Sequence, residues 1–253
     1  MRTSDKPSPN HQGGAAAPVG ILCALPQEQA LLVRQMGEPP ALPGEAIEAR
    51  QGRLDGRPVV IAASGVGKVR AAVTATLLVE RFDCRALVLS GVAGGLAADA
   101  HIGDIVVADR VIDVDYGRLT PEGRIVYQPG VLPIPEEKPD PGYVLPAPLL
   151  ARVRARLAEL EPAVRLGTIL TTDAYLASPA ERDRLAGEWS GTAIEMEGSA
   201  LCDVAERYSL PWLVVRALSD RAGEDSLDDF AAFVDEAAAS SARLVRELLP
   251  VFD

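Results

Sequence analysis

Two short segments, far apart in the chain, carry acidic residues of the kind that bind a sugar and a heterocyclic base. Glu195, Met196 and Glu197 stand where a strand gives way to a helix, and Ser219 and Asp220 follow an apolar strand. One carboxylate accepts hydrogen bonds from both hydroxyls of a ribose diol. An acid whose pKa is raised in a dry site protonates a leaving base. These residue types predict an enzyme that cuts the N-glycosidic bond of a purine nucleoside.

Further candidates lie close to predicted strand ends. Ala93 and Gly94 end the most apolar run, where glycine lets the backbone approach a flat ligand or a sugar. Glu28 follows the first strand and is either a first-turn helical glutamate or a carboxylate facing the site. Arg216, four residues before Asp220, is either a buried ion-pair partner or a contact of an attacking water.

Each acidic candidate also has an interpretation without a ligand. The pair Glu195 and Glu197 fits a solvated acidic helix start, and one of the two can cap the helix while the other enters a site. Asp220 fits a helix cap. Because ligands bind at the carboxyl ends of the strands in α/β sheets, the convergence of several such residues on one rim favours the functional interpretation.

The segment Ser64-Gly65-Val66-Gly67-Lys68 resembles a phosphate-binding loop only superficially. It lacks the four-residue spacer that separates the first glycine from Gly-Lys in nucleoside triphosphate loops. A tight turn from strand to helix is the simpler interpretation, and amides that approach a ligand or a small anion are the intermediate one.

Composition excludes several classes of function. The 253 residues carry a net charge of −11, which disfavours a surface that binds nucleic acid. No apolar run reaches the ~18 residues of a membrane span. The cysteines, Cys23, Cys84 and Cys202, are odd in number and lie in apolar runs, which predicts buried, reduced thiols in a cytoplasmic protein. Two histidines, far apart, are too few for a metal site.

The elements that must position these residues alternate between strand and helix. Apolar runs predict strands at 19–24, 59–64, 86–92, 104–113, 164–172 and 212–219. Helical spacing or caps predict helices at 27–36, 68–82, 149–160, 178–189, 197–208 and 227–249. In the second helix we expect inward-facing side chains at Val69, Ala72, Val73, Ala75, Thr76 and Leu77. Prolines between 121 and 148 predict an extended excursion rather than a second domain.

This alternation predicts an α/β protein in which helices sandwich a mainly parallel sheet. Residues 1–18 are polar and rich in Pro, Gly and Ala, which is typical of a disordered tail. A single domain is expected over 19–253.

Taken together, seven segments resemble the 5′-methylthioadenosine/S-adenosylhomocysteine nucleosidases of the purine nucleoside phosphorylase and uridine phosphorylase superfamily. The segments are, in chain order, GILCALPQE, SGVGKVRAA, SGVAGGL, GDIVVAD, TTDAYL, AIEMEGSAL and VVRALSD. The resemblance implies a three-layer α/β sandwich with a central mixed, barrel-like sheet flanked by helices. It also implies a cytoplasmic homodimer that needs no metal or organic cofactor.

The resemblance also implies roles for individual residues. Glu28 would activate water, while Asp220, oriented by Ser219, would protonate N7 of adenine. Met196 and Glu197 would contact the ribose. Tyr175, where the family commonly has Phe, would stack on the base, and the Leu176 backbone would read the base edge. Leu227, with Phe230, would form an apolar lid over the 5′ substituent.

Two departures from the family leave alternatives open. Val92 stands where close relatives usually have Ser, and the proline-rich stretch borders the expected 5′ pocket. Another 5′ substituent, as in futalosine, is one alternative. A phosphate-dependent purine nucleoside phosphorylase is a second, although residues 20–32 hold no Lys or Arg and Glu28 would repel phosphate. A non-catalytic binding protein is the third, and it predicts loss of Glu197 or Asp220, both of which are present.

Overall fold

The computed structural model describes residues 17–43, 46–134, 140–160 and 164–253. Of the predicted tail, 1–18, residues 1–16 lie outside the described residues. Residues 135–139 of the proline-rich stretch also lie outside them. Among the described residues, no helix combines the length and the apolarity needed to cross a bilayer.

Strands and helices alternate over most of the chain. The strands are β1 (Val19–Cys23), β2 (Glu48–Leu54), β3 (Arg57–Ala63), β4 (Ala86–Gly95), β5 (Ile105–Asp113), β6 (Gly117–Thr120), β7 (Gly123–Val126), β8 (Tyr143–Val144), β9 (Arg165–Thr171), β10 (Gly191–Glu195) and β11 (Trp212–Asp220). The helices are α1 (Pro26–Gln35), α2 (Lys68–Phe82), α3 (Ala147–Leu157), α4 (Pro179–Trp189), α5 (Gly198–Arg207) and α6 (Ser226–Leu248), followed by a 3₁₀ turn at Leu249–Phe252.

The central sheet is mixed and curls into a barrel. Strands β4, β11, β5, β9 and β10 follow one another, and β10 also pairs with the end of β4, which closes the ring. Strands β1, β3 and β2 extend the sheet from β4. Strands β10 and β5 run antiparallel to β4 and β11 respectively, so the sheet is mixed, as the family resemblance implies. Most of its paired residues are nevertheless parallel, as the alternation predicts.

The aliphatic composition explains why the barrel is buried on both faces. Every residue of β11 is buried, and so is nearly all of β4. Helix α6 packs on both strands, while α2 and α5 pack on each other. Cys23, Cys84 and Cys202 are free and buried, as predicted.

Three local predictions need correction. Helix α2 buries Ala71, Thr74, Ala75 and Leu78, whereas Val69 and Val73 are 78% and 53% exposed. The helix carries apolar residues on more than one side, so their spacing does not identify the buried face. Its packing against α5 determines that face.

The proline-rich stretch still forms β7 and β8, because its prolines fall outside these two short pairings. Strand β2 was not predicted, since its polar sequence carries no apolar run.

Candidate active site

One cavity gathers most of the predicted site residues. It has a volume of about 290 Å³ and lies where β1, β4, β9, β10 and β11 end. Its lining includes these predicted residues: Glu28, Ala93, Gly94, Tyr175, Leu176, Glu195, Met196, Glu197, Ser219, Asp220 and Leu227. The lining also includes Ala24, Leu25, Val66, Thr172, Ala174 and Ile194, for which we predicted no role. Several of these directly follow strands, so the strand-end rule could have found them.

A β-bulge turns two successive residues of β11 into the cavity. Leu218 pairs with Ala93 and Asp220 pairs with Gly94, so Ser219 is an extra residue in the ladder. In a regular strand, successive side chains point to opposite faces. The bulge breaks this alternation, so that both Ser219 and Asp220 line the cavity.

Asp220 lies in an environment that raises the pKa of its carboxyl group. Its side chain is 3% exposed, and burial, the largest effect, raises the pKa of its carboxyl group. Asp229 raises this pKa further, while the Ala222 N–H and the hydroxyls of Ser219 and Tyr175 lower it. The Ala222 N–H donates to Oδ1 at 2.8 Å, and the Ser219 hydroxyl lies 3.0 Å from Oδ2. These contacts fix the orientation of the carboxyl group.

Glu28 combines a helix-capping role with a position in the site. Its Oε2 accepts the backbone N–H of Ala24 at 2.6 Å and of Leu25 at 2.8 Å, and its Oε1 accepts that of Val92 at 3.0 Å. Burial raises the pKa of Glu28, against the lowering effects of Arg216 and these three amides. The result is a held carboxylate whose basicity is higher than that of an exposed glutamate.

Arg216 lies behind the cavity wall, which corrects its prediction as a substrate-binding residue. Its side chain is fully buried. Its Nη2 donates to Glu195 and, at 2.9 Å, to Oε2 of Glu197, and its Nη1 lies 3.7 Å from Oε1 of Glu28. One guanidinium therefore hydrogen-bonds two buried carboxylates and lies within ion-pair distance of a third, and of the two interpretations from sequence the ion-pair one holds.

Gly91 makes this cluster possible. A Cβ at Gly91 would lie 2.1 Å from Nη1 of Arg216 and 2.3 Å from Oε1 of Glu28. Glycine here therefore lets β4 approach the charged cluster rather than a ligand.

Glu195 and Glu197 have different tasks although both border the cavity. The Glu195 carboxylate accepts hydrogen bonds from Thr171 Oγ1, from the N–H groups of Glu197 and Gly198, and from Arg216. Glu195 caps α5 and has few free acceptor sites left for a substrate, although it lines the cavity, so its binding role stays a prediction. Glu197 accepts the Gly67 N–H at 2.8 Å, and burial raises its pKa to about 7, against the lowering effect of Arg216. Of the pair, Glu197 is the carboxylate with remaining capacity for a ribose.

Two cations near the cavity, Lys68 and Arg216, are paired with acidic side chains. Lys68 contacts Asp113 at 3.0 Å, Asp115 at 3.2 Å and Asp173 at 3.1 Å. Arg216 is paired as described above. Neither of these cations is available to hold phosphate.

Part of the cavity wall is apolar. The Tyr175 ring meets the Phe230 ring edge-on, with centroids 6.2 Å apart. Val92 lines the cavity and packs with Ala217 and Val234 of β11 and α6.

Comparison with known proteins gives one consistent result. The chain matches the family model described as the phosphorylase superfamily over residues 18–250. It is 46% identical to the 5′-methylthioadenosine/S-adenosylhomocysteine nucleosidase of Mycobacterium tuberculosis over 250 residues, which are 93% of this chain and 98% of the relative. The enzyme of that name from Aeromonas salmonicida is 36% identical over 236 residues, 91% and 98% of the two chains.

Solved structures of the same kind are similar in fold. The 5′-methylthioadenosine/S-adenosylhomocysteine nucleosidase of S. pneumoniae, solved with the transition-state inhibitor MT-ImmA, has a TM-score of 0.81 and 29% identity, and the match covers 93% of this chain and 100% of that one. The futalosine hydrolase of Helicobacter pylori strain 26695 also has a TM-score of 0.81, with 26% identity and coverages of 92% and 97%.

Proposed function

The chain belongs to the phosphorylase superfamily, and we propose that it hydrolyses the N-glycosidic bond of a purine ribonucleoside, such as 5′-methylthioadenosine or S-adenosylhomocysteine, releasing adenine. The observation that carries this function is the meeting of Glu28, Glu197 and Asp220 around one cavity. The nucleosidase relatives, at up to 46% identity over nearly the whole chain, support the same activity.

We assign the departure of the base to Asp220. As the bond between C1′ of the ribose and N9 of adenine breaks, its electron pair moves into the purine, and Asp220 delivers a proton to N7. Adenine then leaves as a neutral molecule. Burial raises the pKa of this acid, which favours its protonated form, and Ser219 orients it. Tyr175 stacks on the base, and the Leu176 backbone reads its edge.

We assign the sugar and the water to the opposite carboxylates. Glu197 and Met196 hold the ribose, and the negative charge of Glu197 stabilises the oxocarbenium-like transition state. Glu28 takes a proton from the water whose oxygen bonds to C1′. Ala93 and Gly94 form the backbone wall beside the ribose. Arg216 and Glu195 are positioning residues, because their contacts hold Glu28 and Glu197 in place.

Water is favoured over phosphate as the nucleophile. A phosphorylase needs arginine side chains or free amides for the phosphate. Here the Gly67 N–H that opens α2 is bonded to Glu197, and Lys68 is surrounded by three aspartates. The buried Glu28 carboxylate would repel a phosphate dianion.

Sequence identity, but not similarity of fold, favours a 5′-thioether substituent over the 5′ substituent of futalosine. The nucleosidase and futalosine hydrolase structures match equally well, each with a TM-score of 0.81. The apolar side chains of Leu227 and Phe230 at one end of the cavity suit a methylthio group. The relative that is 46% identical to this chain is a 5′-methylthioadenosine/S-adenosylhomocysteine nucleosidase.

The direct test is release of adenine from 5′-methylthioadenosine, measured by chromatography with phosphate absent and with phosphate added. We expect equal rates and 5-methylthioribose as the sugar product. Strict dependence on phosphate, with a ribose 1-phosphate product, would show a phosphorylase. S-adenosylhomocysteine and futalosine assayed in parallel identify the 5′ substituent, and absence of cleavage of all three would contradict the proposed function.

We also propose that the protein is a cytoplasmic homodimer. Val66, Val69 and Val73 form an exposed apolar face on and just before α2. Apolar faces of this kind are typical of protein interfaces. Val66 also lines the cavity, so a partner on this face would border the site. The buried free thiols support a reducing compartment.

The homodimer makes a prediction for Val69→Lys. A buried lysine without a partner opposes association, so this variant should be a monomer under conditions where the wild type is a dimer. The measurement is light scattering coupled to size-exclusion chromatography. Val144→Lys, at a valine that is 61% exposed on β8, is the matched control and should stay dimeric. A monomeric wild type, or a dimeric Val69→Lys, contradicts the proposal.

A further inference from the structure

One hydrogen bond spans the open side of the cavity. The Tyr175 hydroxyl donates to the backbone carbonyl of Ser226 at 3.0 Å, across 51 positions of sequence. Tyr175 lies in the loop between β9 and α4, and Ser226 begins α6. Both segments line the cavity, the loop through Ala174 to Leu176 and the helix through Leu227 and Phe230. We call this hydrogen bond the Tyr175 latch.

The two joined segments are the solvent-facing edges of the cavity. Tyr175 is 43% exposed and Leu227 is 64% exposed, whereas Glu28, Glu197 and Asp220 are nearly inaccessible. A nucleoside that reaches the acids must therefore pass between the loop and the start of α6. The edge-on contact of the Tyr175 and Phe230 rings closes the same gap.

The loop that carries Tyr175 is anchored at both ends. At its start, Thr172 Oγ1 and the Asp173 N–H donate to Asp115. At its end, the Ser178 hydroxyl caps α4. Tyr175 lies between these anchors, and its hydroxyl holds the middle of the loop to α6.

We propose that the Tyr175 latch is a gate that controls the entry of nucleoside and the exit of products, separately from the stacking of the Tyr175 ring on the base. The proposal rests on the proposed function of the cavity. A phenylalanine, which the family commonly has here, keeps the ring but cannot form the latch.

A gate that the latch holds closed in both the free and the bound protein has a specific kinetic signature. A contact that stabilises the closed state in both the free and the bound protein slows opening in both directions and leaves the affinity nearly unchanged. One ordinary hydrogen bond changes such an equilibrium by about fivefold. Removing the hydroxyl should therefore raise the association and dissociation rate constants together.

The test compares Tyr175→Phe with the wild type by stopped-flow fluorescence. The probe is formycin A, a fluorescent adenosine analogue whose carbon–carbon glycosidic bond cannot be hydrolysed. We expect both rate constants to rise about fivefold and Kd to change less than twofold. Tyr208→Phe is the matched control, because Tyr208 is 38% exposed and its hydroxyl bonds to Glu80 away from the cavity. This control should leave both rates unchanged.

The other outcomes are equally informative. Unchanged rates overturn the gate, and so does a rise in the dissociation rate alone, because the hydroxyl would then act only in the bound state. A lower thermal midpoint in Tyr175→Phe with unchanged rates would indicate a purely structural hydrogen bond. If wild-type protein fails to bind formycin A and to cleave 5′-methylthioadenosine, the proposed function fails, which is distinguishable from failure of the gate.

Discussion

Asp220→Asn should lower kcat for 5′-methylthioadenosine roughly 10²- to 10⁴-fold, the usual contribution of a positioned general acid. Asparagine has nearly the same shape, and its oxygen can still accept the Ala222 N–H. Its amide group can donate a hydrogen bond to N7 of the purine but cannot give up the proton. Adenine would then have to leave as an anion, which raises the barrier. The measurement is steady-state release of adenine.

Binding separates this chemical role from a structural one. Because the amide still donates to N7, the Kd of free adenine measured by calorimetry should change only a few-fold in Asp220→Asn. Asp183→Asn, at an exposed aspartate of α4 that pairs with Arg182, is the control and should keep full activity. A kcat for Asp220→Asn within threefold of the wild type would remove Asp220 from the mechanism.

Arg216→Met should be the most destabilising of the substitutions considered, lowering the free energy of unfolding by about 3–5 kcal/mol. Methionine fills much of the space but leaves Glu28, Glu195 and Glu197 buried without their shared cation. Breaking a buried ion pair costs more than the pair contributes, because the remaining charges stay desolvated. Unfolding in urea, followed by tryptophan fluorescence, measures the loss.

Two further variants serve as comparisons for the stability loss in Arg216→Met, one at a surface ion pair and one that keeps the charge at position 216. Arg246→Met removes an ion pair with Asp55 whose side chains are 36% and 45% exposed, and it should cost at most about 1 kcal/mol. Arg216→Lys keeps the charge but not the planar fork, so an intermediate loss is expected. If Arg216→Met unfolds within 1 kcal/mol of the wild type, the cluster does not depend on its guanidinium.

The loss in Arg216→Met should also depend on pH. Arg216 lowers the pKa of both Glu28 and Glu197, so its removal raises these pKa values further above their unfolded values. A carboxyl group whose pKa is raised in the folded state stabilises the fold fully at pH values below its unfolded-state pKa, near 4.3. This contribution is lost as the pH rises through the folded-state pKa. The folded-state pKa of Glu197 is about 7 already in the wild type. The deficit of the variant should therefore be smaller at pH 5 than at pH 8.

Local patterns were sufficient for most of the elements and for the identity of the candidate acids. The unbroken apolar run of β4 and the cap formed by Ser178 depend on near neighbours in the chain, so spacing and residue type reveal them. The acids were identifiable because α/β sheets present ligand-binding residues at strand ends, and Glu28, Glu197 and Asp220 all lie close to such ends.

The different roles of the acidic residues could not be predicted from local patterns. Glu195 and Glu197 are two positions apart and chemically identical, yet one caps α5 and the other accepts the Gly67 N–H from 130 positions away. The buried face of α2 was mispredicted for a related reason, since a helix with apolar residues on several sides fits more than one register until a neighbour packs against it.

Residue order thus specifies the α/β elements, their aliphatic core and the acidic residues at the strand ends, because each of these depends on spacing within a few residues. Folding in three dimensions adds the closure of β10 on β4, the bulge that turns Ser219 and Asp220 to the same side, and the single guanidinium of Arg216 among three glutamates. These features depend on contacts between residues far apart in the chain, where burial raises the pKa values of Glu28, Glu197 and Asp220.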